Sequence, residues 1–249
     1  MLKINIIRVL KDTVRSILKA INLRLHFKLI SYESSRLPYL KLIENLGINL
    51  IFDIGANDGQ WGLFVLRDGY RGKMISFEPT SNVYKVLKKN TRKYPNWKTH
   101  EQVAIGERCG EVTINVSGNS AGSSSILEMG KLHLDSAPNS KYVGAEIVKL
   151  VTLDTIFEDY FTKGDKCFLK IDVQGYEDQV LQGAINSIKE IAAVKIECSI
   201  ASLYEGDKTF EHYFQFFKQN GFELFDMEPA FSNPVTGQLL QFDALFVRA

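Results

Sequence analysis

The sequence predicts an α/β fold in which a mainly parallel sheet is covered by helices on both faces. Three observations carry this. Apolar runs rich in β-forming residues alternate with segments of helical periodicity through most of the chain, the pattern that builds parallel sheets. Asp53, Glu78, Asp172 and Glu197 each directly follow apolar strand residues, so four acids fall at strand ends. Residues 49–61 read as a buried strand, a glycine-containing turn and the start of a helix. Leu50, Ile51, Phe52 and Ile54 suit a central strand buried on both faces. Gly55 and Gly59 permit close backbone approaches that a Cβ would block.

A chain of 249 residues accommodates one large α/β domain with a small appendage. We read a basic amphipathic helical extension over residues 1–45 and the main domain over residues 46–249. Within residues 3–28, Ile7, Leu10, Val14, Ile17, Ile21 and Leu25 recur at helical spacing, while Lys11, Arg15 and Lys19 mark another face. Seven Lys/Arg against Asp12 give residues 1–30 a charge of +6, and the whole-chain charge of +1 leaves −5 for the remainder. Such a helix packs on its own domain, packs on a second copy, or lies on anionic lipid headgroups. The overall charge gives no reason to expect nucleic acid as a partner. Cys109, Cys167 and Cys198 form no CxxC, which favours reduced thiols in a cytoplasmic protein, peripheral to the inner face of the membrane if the helix docks there. No apolar run approaches the length of a membrane span.

The remaining elements follow in order. A short helix is expected before Gly47, with Pro38 near its start. Residues 72–79 form a strand ending at Glu78, and residues 81–91 a helix with Val83, Val86 and Leu87 inward. Residues 97–105 read as one strand region, and Val112 to Val116 as a strand paired with what precedes it. Residues 117–139, rich in Ser, Gly and Asn, read as a mobile loop or a functional lid. Further strands are expected over residues 147–153, 166–173 and 192–197, with a helix from Tyr176 to Ile188 after the second. A helix over residues 210–219, stopped near Gly221, and two closing strands complete the chain.

Ligands of such sheets lie beyond the carboxyl ends of the strands. Glu78 stands nineteen residues beyond Gly59, at the end of the next strand, where a carboxylate can accept both hydroxyls of a ribose. The turn lacks the second glycine of a dinucleotide site, because Asn57 occupies it, and it lacks a phosphate loop. A cofactor with ribose but no phosphate fits better, which points to S-adenosylmethionine, its amino-acid end held by Asp53 and the turn.

Several motifs occur in order: Phe52 to Gly59, Ser76 to Pro79, Val103 to Gly106, Ser123 to Ser125, Val151 to Asp154, Leu169 to Glu177, and Ile196 with Glu197. This series resembles the FkbM family of S-adenosylmethionine-dependent methyltransferases, over about residues 49–247. The resemblance implies a Rossmann-like class I methyltransferase fold with an antiparallel final strand, and methyl transfer to an oxygen of a glycan, glycolipid or related natural product. It assigns Asp53, Gly55, Asn57 and Gly59 to the cofactor loop, Glu78 to the ribose, Ala104 to the adenine and Asp172 to the active-site end of its strand. Position 174, often Glu in the family, is Gln here. The first 45 residues lie outside the resemblance.

Methylation of a hydroxyl needs a base. Asp172 is the first candidate, although it could instead hold the cofactor's amino group. Glu197 is the second, and His133 a third if the serine-rich segment closes as a lid. Asp172 and Glu197 could also hold a divalent metal, which we do not favour. The acceptor is expected to be a small molecule or glycan, and a homo-oligomer is compatible with the sequence. Two other classes remain open here: an NAD-dependent Rossmann oxidoreductase and a non-catalytic scaffold docked on membranes.

Overall fold

The computed structural model describes residues 38–249, of which residues 42–249 form one compact unit. The expectation for residues 1–30 lies outside the described residues. Helix α1, Pro38–Asn45, opens the described chain. Gly47, at φ +64°, ends it: Gly47 N–H bonds the Glu44 carbonyl and Ile48 N–H bonds that of Ile43. A left-handed residue here caps carbonyls that the helix leaves free.

Seven strands form the main sheet: β1 Leu50–Ile54, β2 Lys73–Phe77, β3 Trp97–Thr99, β7 Cys167–Ile171, β8 Ile191–Ser199, β9 Phe222–Ser232 and β10 Leu239–Arg248. Their order is β3-β2-β1-β7-β8-β10-β9. The first five in that order are parallel, and β10 runs antiparallel to both β8 and β9. All five residues of β1 and of β7 are buried, as strands covered on both faces must be. The order reverses between β1 and β7, and a crevice opens at such a switch point. Phe52 of β1 anchors the core beneath it, stacked on Phe77 at 6.4 Å and Phe157 at 5.1 Å.

Helices α2 Gln60–Arg67 and α3 Ser81–Thr91 follow β1 and β2, and α7 Phe210–Gln219 follows β8. Phe217 of α7 is fully buried and stacks on Phe246 of β10 at 4.3 Å. The expected helix from Tyr176 to Ile188 is shorter. Helix α6, Glu177–Gln182, stops at Gly183, and a separate 3₁₀ turn spans Ser187–Glu190. Two contacts break it. A Cβ on Gly183 would lie 1.9 Å from the Gly106 carbonyl oxygen, so only glycine fits. The Asp154 carboxylate then accepts from Ser187 N–H at 2.7 Å and Asn186 N–H at 3.0 Å, drawing the chain out of the helix. Asp154 itself belongs to helix α5, Leu153–Ile156.

The expected single strand region over residues 97–105 is divided. Its second part, β4 Ala104–Ile105, joins β5 Gly110–Ser117 and β6 Tyr142–Val151 in a separate sheet of order β4-β6-β5. Strand β5 therefore pairs with a later strand, Val112 opposite Val148, and not with what precedes it. Two-residue β4 is too short to offer β5 a ladder, whereas ten-residue β6 matches it along its length. The serine-rich segment is hydrogen-bonded rather than open. Ser117 Oγ donates to Asn119 Oδ1 at 2.6 Å, Ser123 N–H donates to Ser117 Oγ at 3.0 Å, and Ser125 forms a bridge with Asn115. Short polar side chains hold local backbone in this way. Helix α4, Lys131–Ser136, follows. Among the described residues no helix is long and apolar enough to cross a membrane.

Truncating Phe217 to Ala is expected to cost about 4 kcal/mol, since a buried ring is lost and a cavity left. Urea unfolding should show a lower midpoint with an unchanged slope.

Candidate active site

A cavity opens at the carboxyl ends of β1, β2, β4 and β7. The turn after β1 forms one wall. Gly55, at φ +73°, is pressed against the next strand, and a Cβ on it would lie 1.8 Å from the Asp172 carbonyl oxygen. Gly55 and Ala56 N–H both donate to the Phe77 carbonyl, at 3.1 and 3.0 Å, fastening the turn to β2. Asn57 is also left-handed, at φ +48°, and its Oδ1 accepts from Asp58 N–H at 2.7 Å. Gly59 does not line the cavity. A Cβ there would lie 2.7 Å from the Trp97 ring, so this glycine lets α2 start close against β3.

Glu78 lies at the end of β2, 6% exposed. Its Oε2 accepts from Asn57 N–H at 3.0 Å, and its Oε1 accepts from Thr80 N–H at 2.8 Å and from the Thr80 hydroxyl. Burial pushes its pKa up, and the Thr80 and Asn57 bonds pull it back. A carboxylate has about four acceptor positions, so three donors leave one toward the cavity. Ala104, with Val103 and Ile105, supplies apolar wall beside it.

Asp53 was expected at the ligand, and it does not line the cavity. It is fully buried behind the turn. Ser76 Oγ donates to its Oδ2 at 2.8 Å, and the Trp97 indole N–H donates to that Ser76 oxygen at 2.8 Å. Lys170 Nζ stands 3.4 Å from Asp53 Oδ1 and 3.4 Å from Asp172 Oδ2, and it donates to the Gly55 carbonyl at 2.8 Å. Burial raises the Asp53 pKa against the pull of Lys170. Burial also opposes the charge on Lys170, yet Asp172 and Asp53 hold its pKa above the ordinary lysine value. Its strand is otherwise apolar, and a lysine there needs an anionic partner. That was the signal for its role, and sequence reasoning missed it.

Asp172 does line the cavity, with its side chain 36% exposed. Its Oδ1 accepts from Gln174 Nε2 at 2.9 Å, and the same nitrogen donates to Glu197 Oε2 at 2.8 Å. Gln241 Nε2 reaches that Glu197 oxygen at 2.9 Å. Glu197, expected at a strand end, lies inside β8 and does not line the cavity; the Gln174 amide joins it to Asp172. Burial works against the Asp172 charge, but Lys170 and the Gln174 amide bring its pKa below the ordinary value. Glu197 moves well above its ordinary value through burial, then through repulsion from Asp172. Two acids so separated can divide proton-accepting and proton-holding roles. No group of three or more His, Cys, Asp or Glu residues able to hold a metal occurs among the described residues.

His133 is not placed to act on a ligand in this cavity. It is 2% exposed, packed against Tyr204 at 5.1 Å and Phe231 at 5.4 Å, with burial lowering its pKa. The aromatic packing that follows α4 absorbs it. The serine-rich segment nevertheless reaches the cavity, through Ala121, Gly122 and Ser124. Tyr176 lines it too, its hydroxyl donating to Glu107 Oε2 at 2.7 Å. The turn after β7 is fixed by Glu177, whose Oε1 accepts from Val173 N–H at 3.0 Å and Gly175 N–H at 3.2 Å.

A family model described as "Methyltransferase FkbM domain" matches residues 53–224. No curated protein matches the chain. Among solved structures it is similar to the magnesium protoporphyrin IX methyltransferase ChlM of Synechocystis PCC 6803, a structure with bound SAM. The identity is 11%, covering 87% of this chain and 77% of that one at a TM-score of 0.47. It is similar to a TehB-like SAM-dependent methyltransferase of Corynebacterium glutamicum, at 13% identity, 93% and 98% coverage and a TM-score of 0.41. It is also similar to TrmK of M. capricolum in complex with S-adenosyl-homocysteine, at 10% identity, 85% and 68% coverage and a TM-score of 0.43.

Two outcomes are expected from this arrangement. Lys170→Met leaves Asp53 buried without its cation and should lower stability by about 3–5 kcal/mol in urea at neutral pH. Glu177 gives a pH signature, because burial pushes its pKa up to about 7 from 4.5. A raised carboxyl means that the native state takes up a proton on folding between these values. Its stabilisation is full below about pH 4.5 and lost as pH rises through about 7. Glu177→Gln should remove that part of the decline, seen as a flatter difference curve in unfolding midpoints against pH.

Proposed function

Because the chain belongs to the FkbM methyltransferase family, we propose that it transfers the methyl group of S-adenosylmethionine to a hydroxyl oxygen of a small-molecule or glycan acceptor. The observation that supports this most is one cavity with Glu78 on one wall and Asp172 on another, joined by the bare backbone of Gly55. When bound, the cofactor supplies a sulfonium methyl that is already electrophilic.

The residues present fit such a group. Glu78 keeps an acceptor position for ribose hydroxyls, and its Asn57 and Thr80 bonds fix the carboxylate before any ligand arrives. Val103, Ala104 and Ile105 give a flat base an apolar wall. Any Cβ at position 55 would fill the space between the turn and Asp172. Asp53 supports this wall through Lys170, and Gly59 supports it through Trp97. Asp172 is our candidate for receiving the acceptor's proton, since it reaches the cavity and favours the ionised form. Glu197 stands behind it as a proton-holding partner. Alignment of a hydroxyl at Asp172 and exclusion of water are then the protein's share of the catalysis.

Residues 1–30 are proposed to hold the enzyme at an anionic membrane surface, where glycolipid acceptors would be within reach. Co-sedimentation with vesicles containing anionic lipid should fall with added salt and on deleting those residues. Equal sedimentation of the truncated protein would end this part of the reading.

Titration calorimetry should show S-adenosylmethionine binding to the purified protein, weakened at least about tenfold in Glu78→Ala, where a charge-assisted hydrogen bond is lost. Methyl-labelled cofactor offered to extracted envelope glycans should give an O-methyl product. No binding, or a product methylated on nitrogen or carbon, would overturn the proposal.

A further inference from the structure

We infer that Gln174 is a positioning residue for methyl transfer, tying the Asp172 carboxylate to Glu197 through one amide nitrogen and fixing that amide through Tyr204. The inference rests on the methyl-transfer reading of the cavity. Gln174 Nε2 has two protons, and each has a carboxylate: Asp172 Oδ1 at 2.9 Å and Glu197 Oε2 at 2.8 Å. Its Oε1 is committed as well, accepting the Tyr204 hydroxyl at 2.8 Å. An amide whose oxygen is taken cannot flip to present it to the acids, so donation toward both carboxylates is enforced from behind. Tyr204 is itself fully buried, and Gln174 Oε1 is the nearer of two acceptors for its hydroxyl, at 2.8 Å against 3.5 Å for the Ser123 carbonyl.

The backbone supports the same conclusion. Gln174 lies at φ +57°, in the left-handed region, followed by Gly175 at φ +96°. A side chain there costs about 1 kcal/mol relative to glycine, and such strain persists where something else holds it. Glycine would take this conformation without that cost, and the side-chain contacts of Gln174 offset it. Its carbonyl accepts from Ser125 Oγ at 2.6 Å, so the serine-rich segment ends on the same residue. Without the amide, two carboxylates would face one another, with Lys170 holding the nearer through Asp172 Oδ2. Asp172 would then turn about its side-chain bonds instead of holding one aspect to the cavity.

The test compares wild type with Gln174→Gly, which relieves the backbone strain, and Gln174→Met, which keeps length but removes every donor. Three-bond couplings at Asp172 report its χ1 rotamer, calorimetry with S-adenosyl-homocysteine reports the cofactor side, and labelled methyl transfer reports the chemistry. Wild type should hold Asp172 in one rotamer, and both variants should average it. Affinity for S-adenosyl-homocysteine should stay within about threefold, while transfer falls about 100-fold, as small misplacements of reacting groups do. Asp172 remaining in one rotamer in both variants would overturn the inference, as would unchanged transfer. If wild type binds no S-adenosyl-homocysteine, the methyl-transfer reading fails, and the rotamer comparison still decides whether Gln174 positions Asp172.

Discussion

Lys170 places an ammonium inside the sheet, between β1 and β7, where a charge without partners would cost several kcal/mol. Every feature around it answers that cost. Asp53 on β1 and Asp172 at the end of β7 face it from 3.4 Å, and the Gly55 carbonyl takes one of its protons at 2.8 Å. One cation thus sets the position of the glycine turn, the direction of Asp172 and the join between the two strands at the switch point. Removing the cation leaves Asp53 buried without a counter-charge. The cavity is therefore built on an ion cluster in which Asp172 faces the cavity while Lys170 and Asp53 stand behind it.

Above this cluster the two walls use different means. The β1–β2 wall is fixed by backbone donors: two turn N–H groups on the Phe77 carbonyl and a third on Glu78. The β7 wall is fixed by side chains, with Glu177 gathering the Val173 and Gly175 N–H groups and Gln174 spanning two acids. Both walls carry a non-glycine residue in the left-handed region, Asn57 and Gln174. Asn pays little there because its side chain bonds the next N–H. Gln has no such local bond, and the long-range contacts of Gln174 hold it instead.

What the sequence made legible was whatever depends on local pattern. Apolar runs ending in acids located β1, β2, β7 and β8, and the glycine turn located the switch point. Glu78 and Asp172 follow from their place just past strand ends, since the residue after a strand leaves the sheet into the crevice. Asp53 breaks that rule: it sits inside β1, with Ile54 after it, so its side chain points back into the core. His133 failed for another reason. Loop composition does not reveal that Tyr204 and Phe231, distant in sequence, close over it. The partner of β5 was likewise a question of length and distance, which alternation alone does not answer. Membership of Gln174 in the acid pair required three contacts across the chain, from Glu197, Tyr204 and Ser125, none of which has a local signature.

The same division bears on how specificity can vary in this fold. The turn, Glu78 and the Lys170 cluster are locked by bonds within β1, β2 and β7, so substitutions there disturb the sheet itself. The serine-rich segment contributes Ala121, Gly122 and Ser124 to the cavity from outside the main sheet. It meets Gln174 through Ser125 Oγ on the backbone carbonyl, and Tyr204 through a long contact of 3.5 Å from the tyrosine hydroxyl to the Ser123 carbonyl. Its order comes from short-range serine and asparagine bonds together with backbone bonds that join Glu128 and Gly130 to Glu205 and Leu203. A fold arranged this way can keep the β1–β2 and β7 walls while the segment that adds Ala121, Gly122 and Ser124 to the cavity changes.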